Sequence, residues 1–344
     1  MGGGVVIFAI LGLILAALGL FTSVQVRRIE ARYPPAGERV DVVGGAIHVV
    51  EAPALGEERG TVLLLHGASG THADLTVPLS DRLAALGFRV VAVDRPGHGW
   101  SSRILGRRAS SPARQAEWIR AALASRGIEQ AIVVGHSLAG VLALALALDA
   151  PQFVRALALL APVSHPWPGG VNWYYALSTT RGIGWAFRRF VVMPLGLFKL
   201  PSGVRGVFDP CPAPENYAEA TGLALMLRPG HFKANAEDVA DLKGFVIGQS
   251  RRYGEIRAPT EIVTGDGDRI VTPEIHSAGC ARDIPGARLT MLPGIGHSPH
   301  HSAPDVVIAA ILAAERRAIE GEGRVADRER RFEPTHTEAG GVSV

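Results

Sequence analysis

Three strand-like runs of this chain are each followed by a type of side chain that takes part in acyl transfer. Ser137 follows the first run, Asp266 and Asp268 follow the second, and His297 follows the third. A histidine can accept the proton of a serine hydroxyl, and a carboxylate can hold the imidazole in the tautomer that does so. These residue types, in this order, therefore predict a serine nucleophile with a histidine base and an aspartate partner.

Ser137 lies between a β-branched run and a long apolar helix-forming stretch. A serine on a tight strand-to-helix turn has its Oγ exposed, above the free N–H groups of the helix N-terminus. Ala139 stands where such turns usually have Gly, and we expect Ala to be small enough to fit. An ordinary turn whose serine caps the helix is the alternative. Gly-x-Ser alone does not decide, because it occurs at Ser69, Ser101, Ser137, Ser250, Ser298 and Ser343.

The composition is that of a globular protein with room for a large core. The chain has 344 residues, of which 47% are hydrophobic, enough for one large α/β domain or two smaller ones. The net charge is +3 with basic residues scattered along the chain, which argues against a nucleic-acid partner. Cys211 and Cys280 form neither a disulfide framework nor a metal pattern, and there is no Gly-rich phosphate loop, so we expect no cofactor and no metal.

The N-terminus is long and apolar. Residues 2–24 carry no charged side chain, and Arg27, Arg28 and Arg32 follow. About 20 apolar residues suffice to cross a bilayer core. The sequence therefore predicts an uncleaved single-pass anchor over 1–24, and a signal peptide is the alternative. The flanking arginines favour a cytoplasmic location for the rest of the chain.

Strands alternate with helices from residue 39 onward, which predicts a doubly wound, mostly parallel α/β sheet covered on both faces. The predicted strands are a hairpin over 39–51 and single strands at 61–65, 88–93, 131–134, 156–160, 260–264 and 288–292. The predicted helices are 77–86, 112–125, 138–149, 273–282 and 304–317.

The alternation of strands and helices is interrupted by a stretch rich in Pro, Gly and aromatic residues, which predicts an inserted helical module. A charged, apolar-poor tail is expected to be disordered. The predicted segments are the anchor 1–24, a polar linker 25–38, a first core part 39–162, a helical lid 163–247, a second core part 248–319 and the tail 320–344.

The chain resembles the α/β-hydrolase family over roughly residues 40–318. Four blocks in order carry the resemblance, namely 66–70 (HGASG), 94–101 (DRPGHGWS), 135–140 (GHSLAG) and 296–298 (GHS). The resemblance implies that Ser137 is the nucleophile and His297 the base. It also implies an oxyanion hole made by the backbone N–H groups of Ala68 and Leu138.

The family pattern also indicates which aspartate is the partner of the histidine. Gly265, Asp268 and Pro273 match it, so the resemblance favours Asp268, and Asp266 becomes a turn residue. The strand at 156–160 ends without a carboxylate, which closes the other acid position used by some relatives.

Serine at the nucleophile position implies acyl transfer to water, because relatives that open epoxides or remove halides have Asp there. The sequence thus predicts hydrolysis of a carboxylic ester with an apolar acyl or alcohol part. The same residues could serve C–C bond hydrolysis, perhydrolysis or acyl transfer. A non-enzymatic ligand-binding module or receptor on the same fold is the third alternative.

The other histidines are not expected to take part in the reaction. His66 and His98 are expected to be structural, and His136 is expected to point away from the reaction. A metal site built from His297, His300 and His301 would need a helix, and Pro299 argues against a helix there.

Overall fold

The structure, a computed structural model, describes the backbone of residues 2–332 and the side chains of residues 4–322. Its centre is an eight-stranded sheet with the order β1-β2-β4-β3-β5-β6-β7-β8. The hairpin β1–β2 pairs antiparallel to β4, and every later pair is parallel. The strands are β1 (Glu38–Val42), β2 (Gly45–Ala52), β3 (Gly60–Leu65), β4 (Phe88–Val93), β5 (Ala131–His136), β6 (Val154–Leu160), β7 (Thr260–Gly265) and β8 (Arg288–Leu292).

Helices cover both faces of this sheet, as the apolar strands require. The α-helices of the described residues are α1 (Gly2–Arg32), α2 (Ala73–Ala85), α3 (Pro112–Ala124), α4 (Ala139–Asp149), α5 (Trp173–Thr179), α6 (Ile183–Phe190), α7 (Val192–Phe208), α8 (Tyr217–Ala220), α9 (Pro229–Gln249), α10 (Ser277–Asp283), α11 (Pro299–Ser302) and α12 (Pro304–Phe332). Helices α2 and α12 pack on one face, and α3, α4 and α10 pack on the other. The doubly wound, mostly parallel α/β sheet is confirmed.

The inserted segment between β6 and β7 contains α5 to α9, which we call the lid. Helix α9 is fastened to the core through buried charges. The guanidinium of Arg95, fully buried after β4, donates to Asp238 at 2.7 Å. Arg103 donates to Asp238 at 2.8 Å and to Glu237 at 3.0 Å. These paired charges fix the lid over the carboxyl ends of the strands.

The polar linker predicted over 25–38 is wrong in its first part, because α1 continues to Arg32. Its last turns are amphipathic. Ile29 is 7% exposed and packs with Val192 and Leu227 of the lid, with Val26 beside it, while the arginines of this stretch stay outside. Burial against the lid therefore extends the helix beyond its apolar part.

Two further expectations are corrected at the C-terminal end of the chain. Residues 320–332, predicted to be disordered, continue helix α12, and Glu322 there pairs with Arg155 at 3.1 Å. The remainder of the predicted tail, 333–344, lies outside the described residues. Pro299 does not prevent a helix. It opens the short helix α11 at its first position, where the missing N–H costs no hydrogen bond.

Candidate active site

Ser137 lies on a strained turn between β5 and α4. Its φ is +54°, a left-handed conformation that a non-glycine residue adopts only under constraint from its surroundings. Strand and helix nearly touch here, since a Cβ on Gly135 would lie 2.7 Å from the carbonyl oxygen of Ala139. Ala139 itself fits and is fully buried. The turn projects the Ser137 side chain toward the carboxyl ends of the strands.

The structure brings Ser137, His297 and Asp268 together. The Nε2 of His297 lies 2.9 Å from the Oγ of Ser137, and its Nδ1 lies 2.7 Å from the Oδ2 of Asp268. Each of the three residues is at most 7% exposed. Both contacts are of hydrogen-bond length, so the imidazole can accept the serine proton while the carboxylate holds its other nitrogen protonated.

Asp268 is held as a carboxylate. Burial favours its neutral form, but the hydrogen bond to His297 and the N–H groups of Ile270 and Val271 prevail, and its pKa is lowered. Asp266 is exposed and accepts the N–H of Gly294 at 2.7 Å, as a turn residue does. The structure thus places Asp268, and not Asp266, against the histidine.

His297 is held in its neutral form. Burial lowers its pKa, and the opposing effect of the Asp268 carboxylate is smaller. A neutral imidazole has a free lone pair on Nε2, which is the form that can accept a proton from Ser137. The histidine is therefore prepared to act as a base at neutral pH.

The backbone N–H groups of Ala68 and Leu138 lie on the two loops that flank Ser137. The loop after β3 comes so close that a Cβ on Gly67 would lie 3.0 Å from the Cβ of Ser137. Within residues 2–332, neither N–H donates a hydrogen bond to another protein group. Two free donors beside a nucleophile are what an oxyanion hole requires.

Sequence reasoning missed Asn235, which holds the loop after β3 in place. Its Oδ1 accepts the backbone N–H of Ser69 at 2.7 Å, and its Nδ2 donates to the Ser69 hydroxyl at 3.1 Å. Ser69 has a φ of +60°, so the loop needs this support. No spacing rule could have found a pair separated by 166 positions on the core and the lid.

A cavity of about 590 Å³ opens above Ser137 and His297. Its walls come mainly from apolar and aromatic side chains of the lid, including Trp173, Tyr174, Tyr175, Phe187, Leu195 and Phe232. A volume of this size with few polar groups is typical of a small-molecule site.

The model of the alpha/beta hydrolase family matches residues 62–310. The chain belongs to the α/β-hydrolase family. Among curated relatives, the magnesium-chelatase 30 kDa subunit of Rhodobacter capsulatus is 31% identical over 73% of this chain and 85% of its own length. The 2-hydroxy-6-oxononadienedioate/2-hydroxy-6-oxononatrienedioate hydrolase of Comamonas testosteroni is 28% identical over 61% of this chain and 71% of its own length.

Solved structures of α/β-hydrolases share this fold. A membrane phospholipase A described as a bacterial virulence factor superposes with a TM-score of 0.61 at 23% identity, covering 91% of this chain and 97% of that one. At this identity the likeness concerns the fold. The family and the described fold together establish a hydrolase architecture, and the site must supply the chemistry.

Two other histidines near the site are part of the framework of this α/β-hydrolase. His66 is fully buried, and its Nε2 accepts the N–H of Arg95 at 3.0 Å. Burial lowers its pKa to about 3, so it stays neutral. His136 is turned away from Ser137 and donates through Nε2 to the carbonyl of His297 at 3.0 Å. Neither side chain offers a proton-accepting nitrogen to the serine.

Proposed function

We propose that the protein is a serine hydrolase that cleaves a carboxylic ester with an apolar acyl or alcohol part through an acyl-enzyme. The observation that carries the proposal is the continuous hydrogen-bonded chain Ser137–His297–Asp268 at the floor of an apolar cavity. The membership of the α/β-hydrolase family supports the same chemistry.

In the first half-reaction, the Oγ of Ser137 attacks the ester carbonyl while its proton passes to the Nε2 of His297. The N–H groups of Ala68 and Leu138 stabilise the resulting oxyanion, and Asp268 stabilises the imidazolium. When the tetrahedral intermediate collapses, the C–O bond of the ester breaks and the imidazolium gives its proton to the departing alcohol. The acyl group then remains on Ser137.

In the second half-reaction, His297 takes a proton from water as that water attacks the acyl carbonyl. The intermediate collapses with the carboxylic acid as product, and the proton returns to Ser137. Each half-reaction uses His297 first as a base and then as an acid. No co-reactant other than water is needed.

We further infer that α1 anchors the enzyme to a membrane, with the lid at the bilayer surface. Residues 2–17 of the helix lie beyond the lid and span about 24 Å, less than the ~30 Å of a hydrocarbon core. The rest of the hydrocarbon thickness would be covered by the next residues of α1, which pack against the end of α6. A Cβ on Gly19 would lie 3.2 Å from Phe190, and Arg189 donates to Ser23 at 2.7 Å.

The surface of the lid supports this placement. Trp185 is 60% exposed and Phe198 is 77% exposed. Residues 161–208 contain five arginines and lysines and no aspartate or glutamate. Apolar anchors among unopposed cations suit an interface with anionic lipid. Trp173 and Leu195, also exposed, line the cavity as well, so an acyl chain could reach Ser137 from the bilayer.

The direct test is hydrolysis of a series of p-nitrophenyl esters of increasing acyl length by the full chain in detergent micelles. We expect turnover by the wild type and none by Ser137→Ala. Ser250→Ala, another Gly-x-Ser serine far from the site in sequence, is the matched control and should keep full activity. Equal turnover by Ser137→Ala and wild type would refute the proposal. Cleavage of C–C substrates without ester turnover would favour the alternative reaction.

A further inference from the structure

A second cluster of ionisable side chains lies beside the catalytic residues and has no role in the mechanism above. Asp74, in the first turn of α2, is 6% exposed. His300 and His301 approach it from α11, the short helix that follows His297. Tyr217 of the lid donates its hydroxyl to Asp74 Oδ1 at 2.9 Å. The cluster thus joins α2, the lid and the segment that carries the catalytic histidine.

The distances between the two histidines and Asp74 are longer than those of a hydrogen-bonded His–Asp pair. His300 Nε2 lies 3.4 Å from Asp74 Oδ2, and His301 Nε2 lies 3.5 Å from Asp74 Oδ1. By contrast, the His297–Asp268 pair is separated by 2.7 Å. Ligand atoms of a tetrahedral ion with bonds of about 2.05 Å are separated by roughly 3.3 Å. All three ligand atoms lie within 4.8 Å of one another, close enough for one ion to bridge them.

The histidine nitrogens of this cluster lack partners. His300 is fully buried, and neither its Nδ1 nor its Nε2 has a hydrogen-bond partner among the residues with described side chains. The Nε2 of His301 and the Nδ1 of His136, 3.3 Å from Asp74 Oδ2, are also unpartnered. Several unsatisfied buried nitrogens aimed at one carboxylate are unusual, because each costs free energy unless it is paired.

The chain offers an internal comparison. His48, His72 and Asp94 form a second His/Asp group with closely spaced ligand atoms. There the hydrogen bonds are complete. Nδ1 of His48 lies 2.7 Å from Asp94 and its Nε2 accepts the N–H of Gly37 at 3.0 Å. The Asp94 group is thus satisfied by hydrogen bonds, whereas the histidine nitrogens of the Asp74 group are not.

We propose that Asp74, His300 and His301 bind a divalent first-row transition metal such as Zn²⁺, with the fourth position left to water. Carboxylate and imidazole ligands in a compact buried set suit such ions better than Mg²⁺ or Ca²⁺, which prefer oxygen. The proposed role is positional. The ion would hold α11, which begins two residues after His297, and order the His136 ring, 4.3 Å from that of His300. His136 in turn donates to the carbonyl of His297.

The test uses the full chain without a polyhistidine tag, stripped with a chelator, incubated with excess Zn²⁺ and desalted. We expect one Zn²⁺ per chain by elemental analysis and a higher unfolding temperature than the stripped protein. His300→Gln and Asp74→Asn should bind less than a tenth as much. His72→Gln, in the hydrogen-bonded group, is the matched control and should still bind one ion.

Because Asp74→Asn could prevent folding, a second measurement uses the wild type. Co²⁺ added to the stripped protein should give the visible absorption of a four-coordinate site, and Zn²⁺ should abolish it. Stripped wild type that binds less than a tenth of an equivalent and shows no thermal shift would overturn the proposal, leaving a purely hydrogen-bonded cluster. Metal binding by Ser137→Ala separates this result from a failure of the proposed esterase activity.

Discussion

Asn235 of the lid and Ser69 of the core are joined by two hydrogen bonds, one to the Ser69 backbone at 2.7 Å and one to its hydroxyl at 3.1 Å. Ser69 directly follows Ala68, whose N–H is a proposed oxyanion donor. The lid therefore does more than cover the cavity, because it holds the loop that carries this proposed donor.

Asn235→Leu removes both bonds while keeping a similar volume. We expect kcat to fall roughly 10- to 100-fold with little change in KM, because a displaced donor affects the transition state more than the bound ester. Asn235→Asp is the control, since its oxygen still accepts the Ser69 N–H and most activity should remain. Steady-state kinetics on a soluble ester test this prediction. A folded Asn235→Leu variant with the kcat of the wild type would contradict it.

Asp268→Asn tests the choice between the two aspartates. An amide cannot hold the imidazole in the active tautomer, so kcat should fall by about 10⁴. Asp266→Asn changes an exposed turn residue two positions away and should leave kcat within a few-fold of wild type. The reverse ranking of the two variants in the same ester assay would assign the acid to Asp266.

The pH dependence follows from the lowered pKa of His297, which burial causes. The neutral base is the active form, so kcat/KM should be level near neutral pH and fall only on acidification through that pKa. The acid limb should therefore lie below about 6.5, the ordinary histidine value. An acid limb above that value in a pH profile of kcat/KM would be inconsistent with a histidine held neutral by burial.

The sequence could place the three catalytic candidates because each follows a strand. Parallel strands bring their carboxyl ends to one edge, so the positions after the strands predict that Ser137, an aspartate and His297 meet, and the family resemblance favours Asp268 over Asp266. Asn235 and Asp74 lie inside helices, and only the packing of the lid and of α2 decides where their side chains point. The sequence does not predict the helix over residues 25–32 for a similar reason, because Val26 and Ile29 are buried only by contact with the lid.

The sequence argument against a metal site also considered only neighbouring residues, because it rested on Pro299. Pro299 disfavours the interior of a helix but is well suited to its first position, so α11 forms, and His300 and His301 both come near Asp74. Their shared partner, Asp74, lies more than two hundred positions earlier in the chain. Sequence spacing could not have revealed that the three side chains meet.

The lid surface gives a prediction for membrane-borne substrates. Phe198→Glu places a charge on the exposed apolar face and should lower turnover of a long-chain ester in anionic vesicles about tenfold or more, from the lost burial of one Phe. Turnover of a soluble short ester should be unchanged. Val43→Glu, at a 91% exposed position on the hairpin, is the matched control. Equal losses with both esters would argue against contact between the lid and the bilayer.

The buried pair Arg95–Asp238 gives a prediction for stability. Asp238→Ala leaves a fully buried guanidinium without its carboxylate and should cost about 3–5 kcal/mol in the free energy of unfolding. Asp241 lies on the same helix as Asp238 and forms a more exposed pair with Arg107. Asp241→Ala should therefore cost about 0–1 kcal/mol. Urea unfolding of both variants compares them, and similar losses would mean that burial does not distinguish the two pairs.

The central claim is that Ser137 becomes covalently acylated, and labelling with a fluorophosphonate followed by peptide mass spectrometry tests it most directly. The account predicts a single adduct on the peptide that contains Ser137, formed quickly by wild type and at least a hundredfold more slowly by His297→Ala. No adduct on that peptide, or an equal rate of labelling without His297, would contradict it.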